Sequence, residues 1–199
     1  MYRLPFATLF AVCVTVQAQP HDWQADLADR NARAKAQSHC EADEVPVFTC
    51  RIGKNIASIC ASKVLDESHG YLQYRFGTRN RVELNTPPKE TYKPPMVGYM
   101  NATCASCYAN YVRFTNGDYR YYVFNASARG PDDPITGAST RDEPSGVVVM
   151  KNEKTIYSRR CTTPAFDHNV GEHFWGKAVV TLGAEDDVSP FDLAFPSKP

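Results

Sequence analysis

The sequence predicts an all-β fold, either an antiparallel β-sandwich or a small open barrel, with a short N-terminal helix. Three observations carry this prediction. Short segments rich in β-branched and aromatic residues recur along residues 45–159 and are separated by turn residues. The dipeptide Asn116-Gly117 divides two such segments, as the tip of a tight hairpin does. The connections between neighbouring segments read as hairpins, which favours an antiparallel arrangement.

The first 18 residues are predicted to be a signal peptide. Arg3 provides a short basic start, Leu4 to Val16 is almost entirely apolar, and Ala18 ends a cleavage-type pattern. The apolar run is too short to span a bilayer comfortably, and no later stretch predicts an integral membrane segment. We therefore expect a periplasmic or secreted bacterial protein.

The mature chain is predicted to contain an N-terminal helical segment, residues 19–44, and a β domain, residues 45–199, whose C-terminal tail docks on its body. His21–Gln37 reads as a helix with a thin apolar stripe of Trp23, Leu27 and Ala28. Proline pairs make Thr86–Met96 a surface connection. Strands are predicted at Val45–Arg51, Ile56–Ala61, Tyr71–Phe76, Arg81–Leu84 and Val97–Met100.

A central hairpin is predicted from Tyr108 to Asn125. Placing Asn116-Gly117 at its tip pairs Thr115 with Asp118 and directs alternate residues into the core. The opposite face is aromatic, and we expect the C-terminal strip to cover it. The core face holds Tyr108, Val112, Phe114, Tyr119, Tyr121 and Val123; the opposite face holds Tyr111, Tyr122 and Phe124; the strip holds Phe191, Leu193 and Phe195.

The segment Arg129–Gly146 is rich in Pro, Asp, Gly, Ser and Thr, so it is predicted to be a long irregular loop, either functional or disordered. The hairpin register places it beside the Cys104–Cys107 loop, at the end opposite the hairpin tip. A recognition surface is therefore expected there. Val147–Met150 and Thr155–Arg159 then form a second hairpin around Asn152-Glu153.

Six cysteines remain after the predicted cleavage, an even number that favours three disulfides in an oxidising compartment. Cys50 and Cys60 flank a turn at Gly53-Lys54-Asn55, but the expected registers place them diagonally. Either a bulge brings them together or each pairs elsewhere, with Cys40 and Cys161 as alternative partners. The disulfide candidates are Cys40, Cys50, Cys60, Cys104, Cys107 and Cys161.

Sequence motifs for catalysis, cofactor binding or metal binding are not evident. Cys104-Ala105-Ser106-Cys107 has redox spacing, but it precedes a strand rather than opening a helix, so a structural disulfide is favoured. No second ligand pair at zinc spacing accompanies it. The compact cluster His168 and His173, with Asp167 and Glu172, lacks the i, i+4 spacing of a helical metal site. We predict no catalytic, cofactor or metal residues.

Charge and acidic composition narrow the function classes further. Basic and acidic residues balance at 22 each, so no basic field exists for nucleic acid. The pairs Asp132-Asp133 and Asp186-Asp187 lack the pattern of a calcium loop and read as solvated loop charge. His39 and His69 are likewise interpreted as solvated side chains.

The sequence contains the segments VFTCRIGKNIASICAS, GYLQYRFG, YVRFTNGDYRYYVFNASARG, GVVVMKNEKTI and FDLAFP. Together they resemble a family of small exported bacterial proteins without an assigned activity, and the resemblance covers about Phe48–Pro196. The resemblance implies export and β-structure and transfers no functional residues.

Two functions remain open at this stage. The first is an envelope binding module, inhibitor-like or immunity-like, whose partner is expected to be a protein. The alternative is an envelope hydrolase with a site near His168 and His173. A cleft that brought His173 together with an acidic or hydroxyl partner would favour the hydrolase, whereas a protruding loop without such convergence would favour binding.

Overall fold

The computed structural model describes residues 23–66, 68–93, 97–163, 166–167, 179–182 and 187–196. The described residues include two α-helices on either side of the strands: α1 (Trp23–Gln37) and α2 (Pro190–Ala194). A 3₁₀ turn, Lys89–Thr91, lies in the proline-rich connection. The strands are β1 (Glu44–Ile52), β2 (Asn55–Ser62), β3 (Leu72–Thr78), β4 (Arg81–Thr86), β5 (Val97–Cys104), β6 (Cys107–Asn116), β7 (Tyr119–Asp132), β8 (Ser139–Asp142), β9 (Ser145–Lys151), β10 (Lys154–Arg160), β11 (Phe166–Asp167) and β12 (Val180–Thr181).

The strands form two sheets. The first has the order β11-β1-β2-β3-β4, and the second has the order β10-β9-β7-β6-β5-β12 with β8 attached to β7. Pairing is antiparallel throughout except between β12 and β5, which run parallel. The prediction of a mainly β protein with a short N-terminal helix is confirmed.

One hydrophobic cluster joins the two sheets. Val47, Ile59 and Tyr74 of the first sheet and Phe114 and Val147 of the second are each at most 1% exposed within it. Burial of apolar surface is the main favourable term in folding, so this shared cluster fixes how the sheets face each other. The apolar residues that alternate along the strands in the sequence are the ones that this cluster buries between the two sheets.

The central hairpin differs from its predicted register. Asn116 pairs with Tyr119, so Gly117-Asp118 forms the turn and the predicted pairing of Thr115 with Asp118 is wrong. Gly117 has a φ of +56° and Asp118 does not have a positive φ, which is the pattern of a type II′ turn with glycine at its first central position. The partner of each residue shifts by two positions, so the two faces keep their predicted members. Tyr108 is the exception to the predicted burial, because it is 38% exposed.

The second hairpin is confirmed. Lys151 pairs with Lys154 across Asn152 and Glu153, whose φ angles are +49° and +64°. Two successive positive φ angles define the type I′ geometry that the right-handed twist of a hairpin favours.

The C-terminal strip covers the outer face of the second sheet, as predicted. Tyr111, Tyr122 and Phe124 are at most 2% exposed and pack in a second cluster with Leu193 and Ala194 of α2. Phe191 and Phe195 pack against this cluster from its margin. The sequence of the tail also predicts a short helix near Gly171–Lys177, and these residues lie outside the described part of the chain.

The outer face of the first sheet is covered by α1 and the segment that follows it. Ala34 is buried, whereas Ala28, which belongs to the predicted apolar stripe, is exposed. Among the α1 side chains that the structure describes, the buried position is therefore Ala34 in the C-terminal half of the helix, which contacts β1. Within the described residues, neither helix combines the length and apolar character needed to cross a bilayer.

Three disulfides join the six cysteines. They link Cys40 to Cys60, Cys50 to Cys161, and Cys104 to Cys107. In the ladder between β1 and β2, Cys50 lies opposite Ala57 and not opposite Cys60. Of the two alternatives drawn from the sequence, pairing with Cys40 and Cys161 is the one that occurs.

Candidate interaction surface

A two-stranded arm projects from one end of the second sheet. Strand β7 pairs with β9 as far as Asn125 and with β6 as far as Ser127. From Ala128 onward β7 pairs with β8 instead, through Ala128 with Asp142 and Asp132 with Ser139. We call residues 128–142 the arm, because this ribbon continues beyond the strands that flank β7 in the sheet.

The loop at the end of the arm is organised by one carboxylate. Asp133 Oδ1 accepts hydrogen bonds from the Ile135 N–H at 2.9 Å, the Thr136 N–H at 2.7 Å and the Thr136 hydroxyl at 3.0 Å. These backbone bonds hold the pKa of Asp133 below its usual range. The backbone adds Gly137 N–H to Asp133 O and Asp133 N–H to Ala138 O, both at 2.8 Å. The loop is thus an Asx turn within a closed ring of hydrogen bonds.

Ile135 lies within this ordered loop, at the end of the arm. Its side chain is 92% exposed, the largest value among the exposed large hydrophobic residues of the described chain. Single exposed apolar side chains are common on protein surfaces. Ile135 differs because its own amide and that of Thr136 are fixed by Asp133, so the backbone that presents it is held in one conformation.

The base of the arm is anchored to the sheet by Arg141. Its Nε donates to the Ser127 hydroxyl at 2.8 Å, and its Nη2 donates to the Ser106 carbonyl at 3.3 Å. Ser127 is 1% exposed, so this contact reaches into the folded body. The bond to Ser106 also connects the arm to the turn closed by the Cys104–Cys107 disulfide.

The prediction for residues 129–146 is partly corrected by this geometry. The segment was expected to be irregular, but it contains β8 and an ordered turn. The turn residues Asp133-Pro134 and Gly137 within it are the signal that could have indicated a hairpin. The expectation that this segment lies beside the Cys104–Cys107 turn is confirmed by the Arg141 to Ser106 bond.

The histidine cluster of the alternative hydrolase hypothesis falls mainly on residues outside the described part of the chain, namely His168, Glu172 and His173. Asp167 belongs to β11, where its backbone pairs with Phe48. His69 is exposed and bonds Asp66 through Nδ1 at 3.1 Å. His39 is half-buried, with Nε2 at 3.3 Å from the Gly77 carbonyl, so its interpretation as a solvated side chain is wrong.

A buried charged network, which sequence reasoning missed, lies on the outer face of the first sheet. Arg75 donates from Nη1 to Glu44 Oε2 at 2.7 Å and from Nη2 to Glu44 Oε1 at 2.6 Å. Burial raises the Glu44 pKa, but bonds from Arg75, the Glu41 N–H and the Tyr71 hydroxyl outweigh it and lower the pKa to about 2. Arg75 also donates to the His39 carbonyl at 2.7 Å.

This network is a structural ion pair. The Glu44 side chain is 0% exposed and that of Arg75 is 3% exposed, so neither group faces a cleft where a substrate could reach it. Its bonds to Glu41 and His39 secure the segment between α1 and β1. The signal in the sequence was weak, since a lone Arg within β3 reads equally well as a surface residue.

Among the described residues, one group of possible metal ligands contains two cysteines, and its chemistry does not suit a metal. Sγ of Cys40, Sγ of Cys60 and a carboxylate oxygen of Glu44 lie within 4.8 Å of one another. Both sulfurs belong to one disulfide, and a metal site would need them as thiolates. The Cys104–Cys107 disulfide closes the turn between β5 and β6, in line with the structural role expected for it.

The acidic pairs differ from each other. Asp132 is exposed and pairs with Arg129 at 2.9 Å, and Asp133 organises the arm. Asp187 contradicts the expectation of solvated loop charge, because its side chain is fully buried. It accepts hydrogen bonds from Arg113 Nη1 and, at 2.7 Å, from the Tyr122 hydroxyl, so it fastens the tail to the second sheet.

A shallow cavity of about 390 Å³ lies at the opposite end of the second sheet, between the two hairpin tips. Its lining is polar and contains neither histidine nor cysteine; the residues are Thr115, Gly117, Asp118, Arg120, Asn152 and Glu153.

No family model, curated protein or solved structure gives a significant match to this chain.

Proposed function

We propose that this protein is an exported binding module that recognises a protein partner through the arm. In this proposal the two sheets form a β-sandwich that serves as a rigid scaffold. The arm, residues 128–142, is the recognition element. Binding residues commonly lie on loops that a rigid scaffold positions, and the arm continues beyond the strands that flank β7 in the sheet.

The observation that carries the proposal is the combination of order and exposure in the arm. Ile135 is 92% exposed on a loop whose backbone amides are bound by Asp133. The Asp133 hydrogen bonds stabilise the loop itself, but the exposed position of Ile135 gives no evident benefit to the fold. It benefits binding, because a preordered loop loses less conformational freedom when a partner engages it.

Export is supported by the cysteine chemistry. Disulfides persist in oxidising compartments and are rare in the bacterial cytosol. All six cysteines that follow the predicted signal peptide are paired. We therefore place the partner in the cell envelope or outside the cell.

The proposal is tested by replacing the arm. Ala128 and Asp142 face each other across the ribbon, so Arg129–Arg141 can be exchanged for Asn-Gly, which closes a two-residue turn between them. The intact and arm-replaced proteins, both oxidised, are immobilised and exposed to envelope and extracellular extracts. The bound proteins are then identified by mass spectrometry.

We expect the intact protein to retain a partner that the arm-replaced protein does not. The partner, purified separately, should then form a stoichiometric complex with the intact protein alone. A control variant, Ile156→Asp, alters an exposed isoleucine of β10 outside the arm and should bind normally. Equal retention by the intact and arm-replaced proteins, or no partner for either, would contradict the proposal.

A further inference from the structure

We propose that the partner receives Ile135 in a narrow apolar pocket bordered by basic groups, so that the arm binds as a knob and not by adding a strand. This inference rests on the proposed function and specifies the chemistry of the partner at that same site. It follows from three properties of the arm: its shape, the position of its apolar side chain, and its charge.

The shape of the arm disfavours strand addition. Strand β8 has four residues, and its ladder with β7 is interrupted by a shift between Arg129 and Asp132. A partner strand would gain few backbone hydrogen bonds from so short and irregular an edge. The end of the arm is narrow, since Asp133 and Ala138 are joined by a backbone hydrogen bond of 2.8 Å across the loop. A concave partner surface suits this shape better than a flat one.

The apolar content of the arm is concentrated in one side chain. Ile135 is the one large aliphatic residue of the arm, whose other residues are small, proline, polar or charged. Binding energy at protein interfaces is concentrated in a few anchors that fill desolvated pockets, with weaker contacts around them. A single branched aliphatic anchor on an ordered loop fits a partner pocket that is about as deep as one side chain.

The charge at the end of the arm indicates which groups should border the pocket of the partner. The segment from Asp132 to Ala138 has two carboxylates and no basic residue. Arg129 compensates Asp132 at 2.9 Å, whereas the donors that reach Asp133 are neutral amides and a hydroxyl. One negative charge therefore accompanies Ile135 into the complex. Complementary interfaces place basic groups opposite such a charge.

Affinity measurements on Ile135 variants test whether this side chain inserts into a pocket of the partner. The probe is the purified partner identified with the intact protein, titrated calorimetrically against wild type, Ile135→Val, Ile135→Asp and Ile156→Asp. We expect Ile135→Asp to weaken binding by roughly 30-fold or more. Ile135→Val, which removes one methylene, should weaken it about fivefold. Ile156→Asp should bind as wild type does.

Asp133 is assigned as a positioning residue, and its variants separate order from charge. Asp133→Asn keeps an oxygen that accepts the same backbone bonds, whereas Asp133→Ala removes it. Amide hydrogen exchange at Ile135 and Thr136 should be slow in wild type and in Asp133→Asn but fast in Asp133→Ala. Affinity should fall most in Asp133→Ala, and the Asn variant should retain most of it while losing part of the salt dependence.

The outcomes distinguish this inference from the proposed function. If arm replacement abolishes binding but Ile135→Asp does not, the knob is wrong and the binding module stands. If Ile135→Asp binds weakly but raised salt leaves binding of the wild type unchanged or strengthens it, the basic rim is wrong. If the exchange rates of Ile135 and Thr136 are the same in Asp133→Ala as in wild type, the assignment of Asp133 is wrong.

Discussion

Individual residues in this protein show how buried charge is accommodated. Glu44 is fully enclosed, yet it remains ionised because a bidentate arginine, a backbone amide and a phenol all donate to it. A buried ion pair adds little net stability, but removing one member leaves the other uncompensated and costs several kcal/mol. We therefore expect the loss of either Glu44 or Arg75 to lower the stability of the folded protein.

The Glu44 pair gives stability a specific dependence on pH. Its folded-state pKa of about 2 lies below its ordinary value of 4.5, so its contribution is present above pH 4.5 and is lost as the pH falls toward 2. At neutral pH we expect Glu44→Gln to lower the free energy of unfolding by a few kcal/mol, at about 1.4 kcal/mol per pKa unit.

Urea unfolding followed by circular dichroism between pH 2 and 7 measures this dependence. The gap between wild type and Glu44→Gln should narrow below pH 4.5. Glu83→Gln, at an exposed position of β4, serves as the matched control and should follow the wild type throughout. A gap that is constant with pH would mean that the Glu44 pKa is the same in the folded and unfolded states, which would contradict the lowered pKa.

Gly117 tests the corrected hairpin turn. Its φ of +56° strains any residue with a Cβ, although an added Cβ would meet no atom within 4 Å. Gly117→Val should therefore lower the free energy of unfolding by on the order of 1 kcal/mol or more, through backbone strain alone. Asn tolerates positive φ, so Gly117→Asn should cost less. Equal melting temperatures for the two variants would contradict this turn.

At the scale of elements, the tail is attached to the second sheet by polar as well as apolar contacts. Leu193 and Ala194 cover Tyr111 and Phe124. The Asp187 carboxylate accepts hydrogen bonds from Arg113 and Tyr122 of the sheet. The apolar strip was predictable from its spacing. The role of Asp187 was not, because nothing in an acidic run distinguishes the one carboxylate that becomes buried.

Replacing Asp187 tests this attachment. Asp187→Ala leaves the Arg113 charge largely enclosed without its partner, since that side chain is 17% exposed. We expect a loss of about 2 kcal/mol or more in the free energy of unfolding. Asp192→Ala, an exposed position in α2, should change stability by less than about 0.5 kcal/mol. Comparable denaturant midpoints for the two variants would exclude an anchoring role for Asp187.

For the whole molecule, the strand pattern and the even cysteine count predicted the fold class and the disulfide content. The register of the central hairpin was missed because Asn-Gly and Gly-Asp are both acceptable turn pairs, and only the complete ladder decides between them. The arm was missed as an element because its strand β8 is fully exposed and lacks the apolar alternation that marks a half-buried strand. The Glu44–Arg75 pair was missed because pairing across different strands leaves no local spacing.

The three disulfides should stabilise the molecule unequally. Cys50 and Cys161 are 111 residues apart, whereas Cys104 and Cys107 are three apart. Loop-closure entropy assigns about 5 kcal/mol to the first and about 2 kcal/mol to the second. Replacing each pair by alanines and measuring the melting temperature should show the larger loss for Cys50 and Cys161. The reverse order would indicate that the short disulfide supports more than its own turn.

The central claim is that the end of the arm contacts a protein partner, and site-specific photo-crosslinking tests it most directly. A photoreactive amino acid is placed at position 135 or, as the control, at position 156, and the oxidised protein is irradiated in its native compartment. The account predicts one covalent adduct of defined mass from position 135 and none from position 156. Adducts of equal yield from both positions, or none from position 135, would contradict it.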